Sequence, residues 1–240
     1  MNKKITLMVP CYNEEEGIPR VMKDVPYESM KKLGFDIEVL VIDNNSTDKT
    51  AEIAKKLGAK VIFEGKQGKG NAIKTGFKNI SKDTDYIVMV DGDDTYKPYE
   101  MYRLIELLDS GFSDAVIGSR LEGKSIGKAM SFSHRIANWF FTFITRTFYG
   151  ANISDTCTGY FAWTKKSINT LNGHIKSSGF AIEAEMITKM SKLGLELHSV
   201  PITYEPRAGE SKLSPISDGI KITWMLFVNI FWKPGKKNKL

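Results

Sequence analysis

Tyr86-Ile87-Val88-Met89-Val90 runs straight into Asp91-Gly92-Asp93-Asp94. The apolar, largely β-branched run reads as a buried central strand. Three carboxylates at its C-terminal end repel one another and resist burial, so packing does not explain them. In open α/β sheets the ligand crevice lies outside the carboxyl ends of the strands. Asp-x-Asp at such a place suits a hard divalent cation whose remaining ligands are phosphate oxygens. An acidic turn is the alternative, because Asp-Gly is also hairpin chemistry, and this stretch alone leaves both open.

Working outward, the same grammar repeats. Ile5-Thr6-Leu7-Met8-Val9 reads as a strand ended by Pro10, and Cys11-Tyr12-Asn13-Glu14-Glu15-Glu16-Gly17 opens a helix to about Met22. This turn lacks the G-x-G-x-x-G of dinucleotide sites. Tyr12 can stack on a base, with Asn13 and Glu14 on its edge or the ribose; an acidic helix start is the alternative. Ile37–Ile42 is a second strand, ending in Asp43-Asn44-Asn45-Ser46-Thr47-Asp48. Ser46, Thr47 or Asp48 can cap the helix over 49–57, whereas Asp43 comes too early to cap and is a site candidate. After a third strand (59–63), Gly65-Lys66-Gln67-Gly68-Lys69-Gly70-Asn71 fails the Walker pattern. It reads equally as a basic loop beside a nucleotide or as a solvated turn. A helix over 98–110 and a strand over Asp114–Arg120 continue the alternation, which predicts an α/β fold with a mainly parallel sheet and helices on both faces.

Composition bounds the rest. The chain has 240 residues, two cysteines, three histidines and a net charge of +6. That length supports one large α/β domain without disulfides. Cys11 and Cys157 lie far apart with no CxxC, which argues for a reduced compartment and against zinc. His134, His174 and His198 form no metal or triad pattern. No RNA-binding aromatic motif or Cys/His finger accompanies the positive charge, so nucleic acid is not the expected partner. The N-terminus has no signal-peptide core, which predicts a cytoplasmic location.

Two stretches have a different character. In 131–150, Ile136, Trp139, Phe140, Phe143 and Ile144 share one helical face, and Arg135, Asn138, Thr142 and Thr145 another. The segment is either a core helix or one lying in a membrane interface. Gly219–Trp232 is apolar and tryptophan-bearing, and Lys233, Lys236, Lys237 and Lys239 follow it. That combination is an interfacial-anchor pattern, with a core or dimer helix as the alternative. Both runs are too short to span a bilayer. Between them, Asp155–Trp163 reads as a polar turn entering a strand, 179–193 as a helix and 195–204 as a strand. Glu183 and Glu185, two apart, point to different helix faces, so at most one faces a site. The expected division is a catalytic unit over 1–217, carrying the amphipathic segment 131–150, and a membrane-interface segment over 218–240.

Val9-Pro10-Cys11-Tyr12-Asn13-Glu14, Ile42–Asp48, Asp91-Gly92-Asp93, Gly118-Ser119-Arg120, Asp155-Thr156-x-x-Gly159-Tyr160 and Arg207–Lys212 occur in this order. Together they resemble glycosyltransferase family 2, specifically the polyprenyl-phosphate (dolichyl-phosphate) glycosyltransferases, over about residues 4–220. The resemblance implies a GT-A fold, a nucleotide-sugar donor, Mg2+ or Mn2+, and a peripheral or monotopic place on the cytoplasmic face of a membrane. By it, Pro10, Tyr12, Glu14 and Asp43 hold the nucleoside, and Asp91 and Asp93 the metal-bound diphosphate. Arg207 and Lys212 meet the donor phosphates, and Arg120 and Arg135 the phosphate of a polyprenyl or dolichyl acceptor. The pattern from Tyr204-x-Pro206-Arg207 to Ser217-Asp218-Gly219 resembles the glucosyl and N-acetylhexosaminyl branch, which implies a UDP donor; GDP-mannose is the alternative.

Two rivals stay open at this level. A family 2 enzyme acting on a soluble hydroxyl needs a carboxylate base, for which Glu183, Glu185 or Asp155 can serve. A peripheral membrane-binding module would use the amphipathic helices and basic tail, but it leaves Asp43, Asp91 and Asp93 without a role.

Overall fold

The computed structural model describes residues 2–127, 129–209 and 214–235. In chain order the elements are β1 (Lys3–Cys11), α1 (Ile18–Lys23), α2 (Tyr27–Lys32), β2 (Phe35–Asp43), α3 (Thr50–Lys56), β3 (Lys60–Phe63), α4 (Lys69–Asn79) and β4 (Tyr86–Met89). They continue with α5 (Met101–Asp109), β5 (Ala115–Ser125), α6 (Phe132–Tyr149), β6 (Phe161–Thr164), α7 (Lys165–Leu171), α8 (Ile182–Lys192), β7 (Leu197–Tyr204) and α9 (Pro215–Phe231).

The strands form one seven-stranded sheet in the order β3-β2-β1-β4-β6-β5-β7. β1 pairs parallel with β2 and β4, and β2 with β3. β6 is antiparallel to both β4 and β5, while β5 and β7 are parallel. The expected sheet is therefore present with one reversed strand inserted between β4 and β5. Because β6 runs backwards, its first residue, Phe161, pairs with the last residue of β4, Met89. The turn before β6 thus arrives at the same sheet edge as Asp91.

Alternate residues of each strand feed opposite cores. Ile5, Leu7 and Val9 of β1 pack with Val21, Met101 and Leu104 on one face. Met8, Ile87 and Met89 pack with Ile73, Phe77, Trp163 and Met186 on the other. Burial on both faces explains why these strands read as continuous apolar runs rather than alternating ones. Several boundaries differ from the sequence reading. β1 continues through Pro10, which lies at its end, beside Ile42 of β2. The first helix begins at Ile18 rather than at the acidic run, because Asn13 takes a left-handed backbone (φ 53°) that a helix start does not allow. α2 and α7, of six and seven residues, are too short to show a period. α9 begins at Pro215, so the expected boundary at 217 falls in its first turn.

α6, α8 and α9 build a third, smaller core from Phe141, Ala181, Ala184, Ile222 and Leu226. The outer faces of α6 and α9 are inverted relative to an ordinary surface helix. Asn138, Thr142 and Thr145 of α6 are buried, as are Asp218 and Asn229 of α9. Trp139 (62% exposed), Phe143, Trp224 (64%) and Phe227 face outward. Among the described residues no helix is long and apolar enough to cross a membrane.

Candidate active site

A cavity of about 660 Å³ lies at the carboxyl edge of the sheet. Pro10, Cys11, Tyr12 and Glu14 line one wall, Asp91 and Asp93 the floor, and Arg120, Arg207 and Tyr204 another wall. It extends past Lys69 and Glu183 to the first turns of α6 (His134, Ala137, Asn138) and α9 (Pro215, Asp218, Gly219).

The wall at residues 12–15 is a loop braced from the next strand end. The amides of Asn13, Glu14 and Glu15 donate to Ser46 Oγ (3.0 Å), Thr50 Oγ1 (2.8 Å) and Asp48 Oδ2 (3.1 Å). Asn13 Oδ1 in turn accepts from the Thr47 amide at 2.8 Å. Asp48 also receives the Thr50 amide (2.9 Å) at the start of α3, so its capping role and its bracing role coincide. Asp43 is buried beside this loop, and its Oδ1 accepts from the Ser46 amide at 3.2 Å. Its neighbour Asn44, rather than Asp43 itself, lines the cavity.

On the floor, Asp91 and Asp93 point into the cavity, each engaged by a cation. Lys69 Nζ lies 2.6 Å from Asp91 Oδ1 and 2.7 Å from Glu183 Oε1. Burial pulls the Lys69 ammonium toward neutrality, but the two carboxylates outweigh it and hold its pKa above the lysine value. Burial raises the Glu183 carboxyl, and Lys69 offsets part of that rise. Asp93 Oδ1 accepts from the Thr95 amide (3.1 Å) and hydroxyl (2.6 Å), and its Oδ2 pairs with Arg207. Burial lowers the Arg207 pKa, but Asp93, with Glu14 and Tyr204, more than offsets this, so the guanidinium stays charged. Asp94, also left-handed (φ 65°), turns away from the cavity to Lys97 at 2.8 Å, which explains the third carboxylate as a turn residue.

Gly159 explains how the Asp91 carboxylate fits. A Cβ there would collide with Asp91 Oδ2, so glycine alone leaves the carboxylate its place. The amide of Gly159 donates to the Tyr96 hydroxyl at 2.8 Å, fixing the turn. The donor set suits a hard cation, because both floor carboxylates offer oxygen, while burial pushes up the thiols of Cys11 and Cys157, the soft groups that also line the cavity, and keeps them protonated. Among the described residues no cluster of three or more His, Cys, Asp or Glu side chains completes a protein shell. A cation held here would therefore draw its other ligands from phosphate oxygens and water.

Arg120 lines the cavity yet is neutralised from behind. Its Nε and Nη2 donate to Asp155 Oδ2 (2.8 Å) and Oδ1 (2.9 Å), and its ring-facing side lies 5.2 Å from the Tyr204 centroid. Asp155 is fully buried and also accepts from Asn138 Nδ2 at 2.7 Å. It stands outside the cavity as the anchor of Arg120. Arg135 is exposed on α6 and does not line the cavity. Glu185 does not line it either: it accepts from the amides of Lys176 (3.0 Å) and Ser177 (2.7 Å) and pairs with Lys189 at 2.5 Å. Of the two glutamates on α8, Glu183 is the one that faces the site. Lys212 lies outside the described residues.

Residues 6–171, more than half the chain, match the family model described as "Glycosyl transferase family 2". The chain belongs to glycosyltransferase family 2. This family 2 enzyme is 34% identical to glycosyltransferase AglJ of Haloferax volcanii, over 98% of this chain and 74% of that protein. It is 30% identical to the dolichyl-phosphate hexose transferase of the same organism, over 91% and 90%. Its fold matches glucosyl-3-phosphoglycerate synthase from Mycobacterium tuberculosis in complex with Mn2+, UDP and glucosyl-3-phosphoglycerate. That match has a TM-score of 0.69 at 20% identity and covers 98% of this chain and 82% of the other. The central sheet and the helices around it thus form a GT-A fold.

The residues that the sequence reading missed are Lys69 as a buried partner of Asp91, Tyr96, Asn138 and Tyr204. Lys69 carried a weak signal, since the basic glycine-rich loop was a candidate for the nucleotide. Asn138 carried the polar periodicity of 131–150 and Tyr204 its place before Pro206-Arg207, neither of which indicated a partner, and Tyr96 carried no signal.

Proposed function

We propose that this glycosyltransferase moves a hexose or N-acetylhexosamine from a UDP-sugar to a polyprenyl or dolichyl phosphate at a membrane surface. The carrying observation is the run of the cavity from Asp91 and Asp93 to the first turns of α6 and α9, whose outer faces are unpartnered aromatics. The relative that acts as a dolichyl-phosphate hexose transferase supports the same acceptor class. In this reading residues 131–150 are the membrane-facing segment of a catalytic unit spanning 1–217, and residues 218–240, of which 236–240 lie outside the described residues, are a membrane-interface segment that follows it, on the cytoplasmic face.

Tyr12 and Glu14, on a loop held by hydrogen bonds to residues 46–50, receive the nucleoside, with Asp43 behind them. Asp91 and Asp93 would hold Mg2+ or Mn2+, which when bound screens the charge that develops on the departing diphosphate. Arg207, with Lys212 as its expected companion, adds positive charge to the same leaving group. Arg120 presents to the acceptor phosphate a guanidinium oriented by Asp155, whereas Arg135, exposed on α6 and outside the cavity lining, meets lipid headgroups instead of sharing that phosphate. A phosphate monoester is already ionised near neutral pH and attacks the anomeric carbon without a strong base. The transfer is a single in-line displacement that inverts the anomeric centre.

Glu183 favours a second reading, because a cavity carboxylate with a raised pKa can act as base toward a hydroxyl acceptor. Its 2.7 Å ion pair with Lys69 counts against that role. The test is incubation with polyprenyl phosphate, Mg2+ or Mn2+ and radiolabelled UDP- and GDP-sugars. Labelled lipid with a UDP-sugar and inverted configuration is expected. Labelled lipid only with GDP-mannose would change the donor, and no labelled lipid with any donor would overturn the acceptor.

A further inference from the structure

Lys69 places a monovalent cation against one of the two carboxylates that a divalent cation needs. Its side chain is only 13% exposed, and it bridges Asp91 and Glu183 at 2.6 and 2.7 Å. The backbone beneath it is tightly held. Gly68 (φ 128°) and Gly70 sit where a Cβ would strike the carbonyls of Ser178 and Ser177, and the Asn71 amide donates to Ser178 at 3.3 Å. The 176–177 segment is in turn fastened by its amides to Glu185. The base of the lysine is therefore fixed while its four-carbon stem can swing between two anionic partners. Either partner keeps the ammonium compensated, so release from Asp91 does not strand a buried charge.

We propose that Lys69 is the resident counter-ion of Asp91: it occupies that carboxylate until a divalent cation arrives with a nucleoside diphosphate, and then withdraws onto Glu183. The inference rests on the reading of Asp91 as a metal holder. A bare cation must displace an ammonium already in contact with the carboxylate and gains few protein ligands in return. A cation accompanied by a diphosphate brings its own oxygen ligands and supplies negative charge that the displaced ammonium also serves. Metal and nucleotide thus enter together. Glu183 is a positioning residue, acting through Lys69 and not on the substrate.

The test is Mn2+ titration followed by the electron paramagnetic resonance of free Mn2+, with and without UDP or GDP, on the full chain. The wild type is expected to bind Mn2+ weakly alone and much more tightly with nucleotide. Lys69→Met and Lys69→Gln remove the competing charge and bind Mn2+ alone about tenfold tighter or more, the size of one unit charge removed a few Å away in a wet site. Their gain from nucleotide shrinks, Lys69→Arg keeps the wild-type pattern, and Asp91→Asn loses binding. Unchanged or weaker Mn2+ binding in both neutral variants, with loss in Asp91→Asn, would overturn the role of Lys69 while leaving the metal site intact. No Mn2+ binding by any variant with either nucleotide would overturn the metal site, and this inference with it.

Discussion

Trp139 on α6 and Trp224 on α9 offer a quantitative test of the membrane-facing reading. They are 62% and 64% exposed. A tryptophan side chain carries roughly 250 Å² of surface, so each leaves about 150 Å² bare. At about 25 cal/mol per Å², removing that area from water is worth about 4 kcal/mol per ring. The headgroup zone is only partly dry, so about half of this, ~2 kcal/mol, is realised, or ~30-fold in partitioning. Trp139→Ser and Trp224→Ser should each weaken binding to anionic vesicles by about that factor, and together by about a thousandfold where the two act independently. Co-sedimentation with vesicles measures it. Phe63→Ser is the control, since Phe63 is 64% exposed but lies at the end of edge strand β3. Both classes of variant should leave stability within about 0.5 kcal/mol. The reasoning is refuted if Phe63→Ser costs as much vesicle binding as Trp139→Ser, or if the double tryptophan variant sediments like the wild type.

Other residues give independent tests. Asp155→Asn removes the charged partner of buried Arg120 and should cost about 3–5 kcal/mol in denaturant unfolding. Asp91→Asn and Asp93→Asn should each lower sugar transfer by about 10²-fold or more in the radiolabel assay, since in the proposed reading each removes stabilisation of the leaving group. Arg135→Ala, on an exposed position, should leave the melting temperature unchanged while raising KM for the lipid acceptor and not for the nucleotide sugar. Glu185 gives a pH test. Burial works to raise its pKa, but Lys189 and the Ser177 and Lys176 amides more than offset this and hold it below the ordinary 4.5. Its stabilisation is therefore complete above that value and is lost as pH falls through the lowered folded one. Glu185→Gln should cost about 2–3 kcal/mol near pH 7, with the difference from wild type closing on acidification below 4.5.

Strands β1, β2 and β4 were legible because residues buried on both faces leave long apolar runs, and Asp91 and Asp93 because carboxylates at a strand end have no packing use. The reversal of β6 was not legible: four residues, Phe161–Thr164, carry no sign of direction. The facing of α6 was half legible. Periodicity grouped Asn138, Thr142 and Thr145 on one side and Trp139 and Phe143 on the other, but which side turned inward depended on tertiary partners. The Thr156 amide and hydroxyl, which bond Thr142 and Thr145, decide it. Arg120 shows the same limit. Its residue type fits a phosphate, yet the carboxylate that orients it stands 35 positions away. Lys69 was ambiguous for a related reason, since a loop lysine reads as solvated until the fold brings Glu183 against it.

The inward polar faces of α6 and α9 have a mechanical consequence. Asn138 is bonded to Asp155, Asn229 to Thr188 of α8, and Lys192 to the carbonyl of Ile230. These attachments rivet both helices to the globular body, so the aromatic face cannot sink while the body stays behind. In the proposed orientation the molecule then works as a depth gauge. The distance from the bilayer to Asp91 is set by the domain, and the acceptor phosphate must rise to meet it, whatever the length of the chain that trails below.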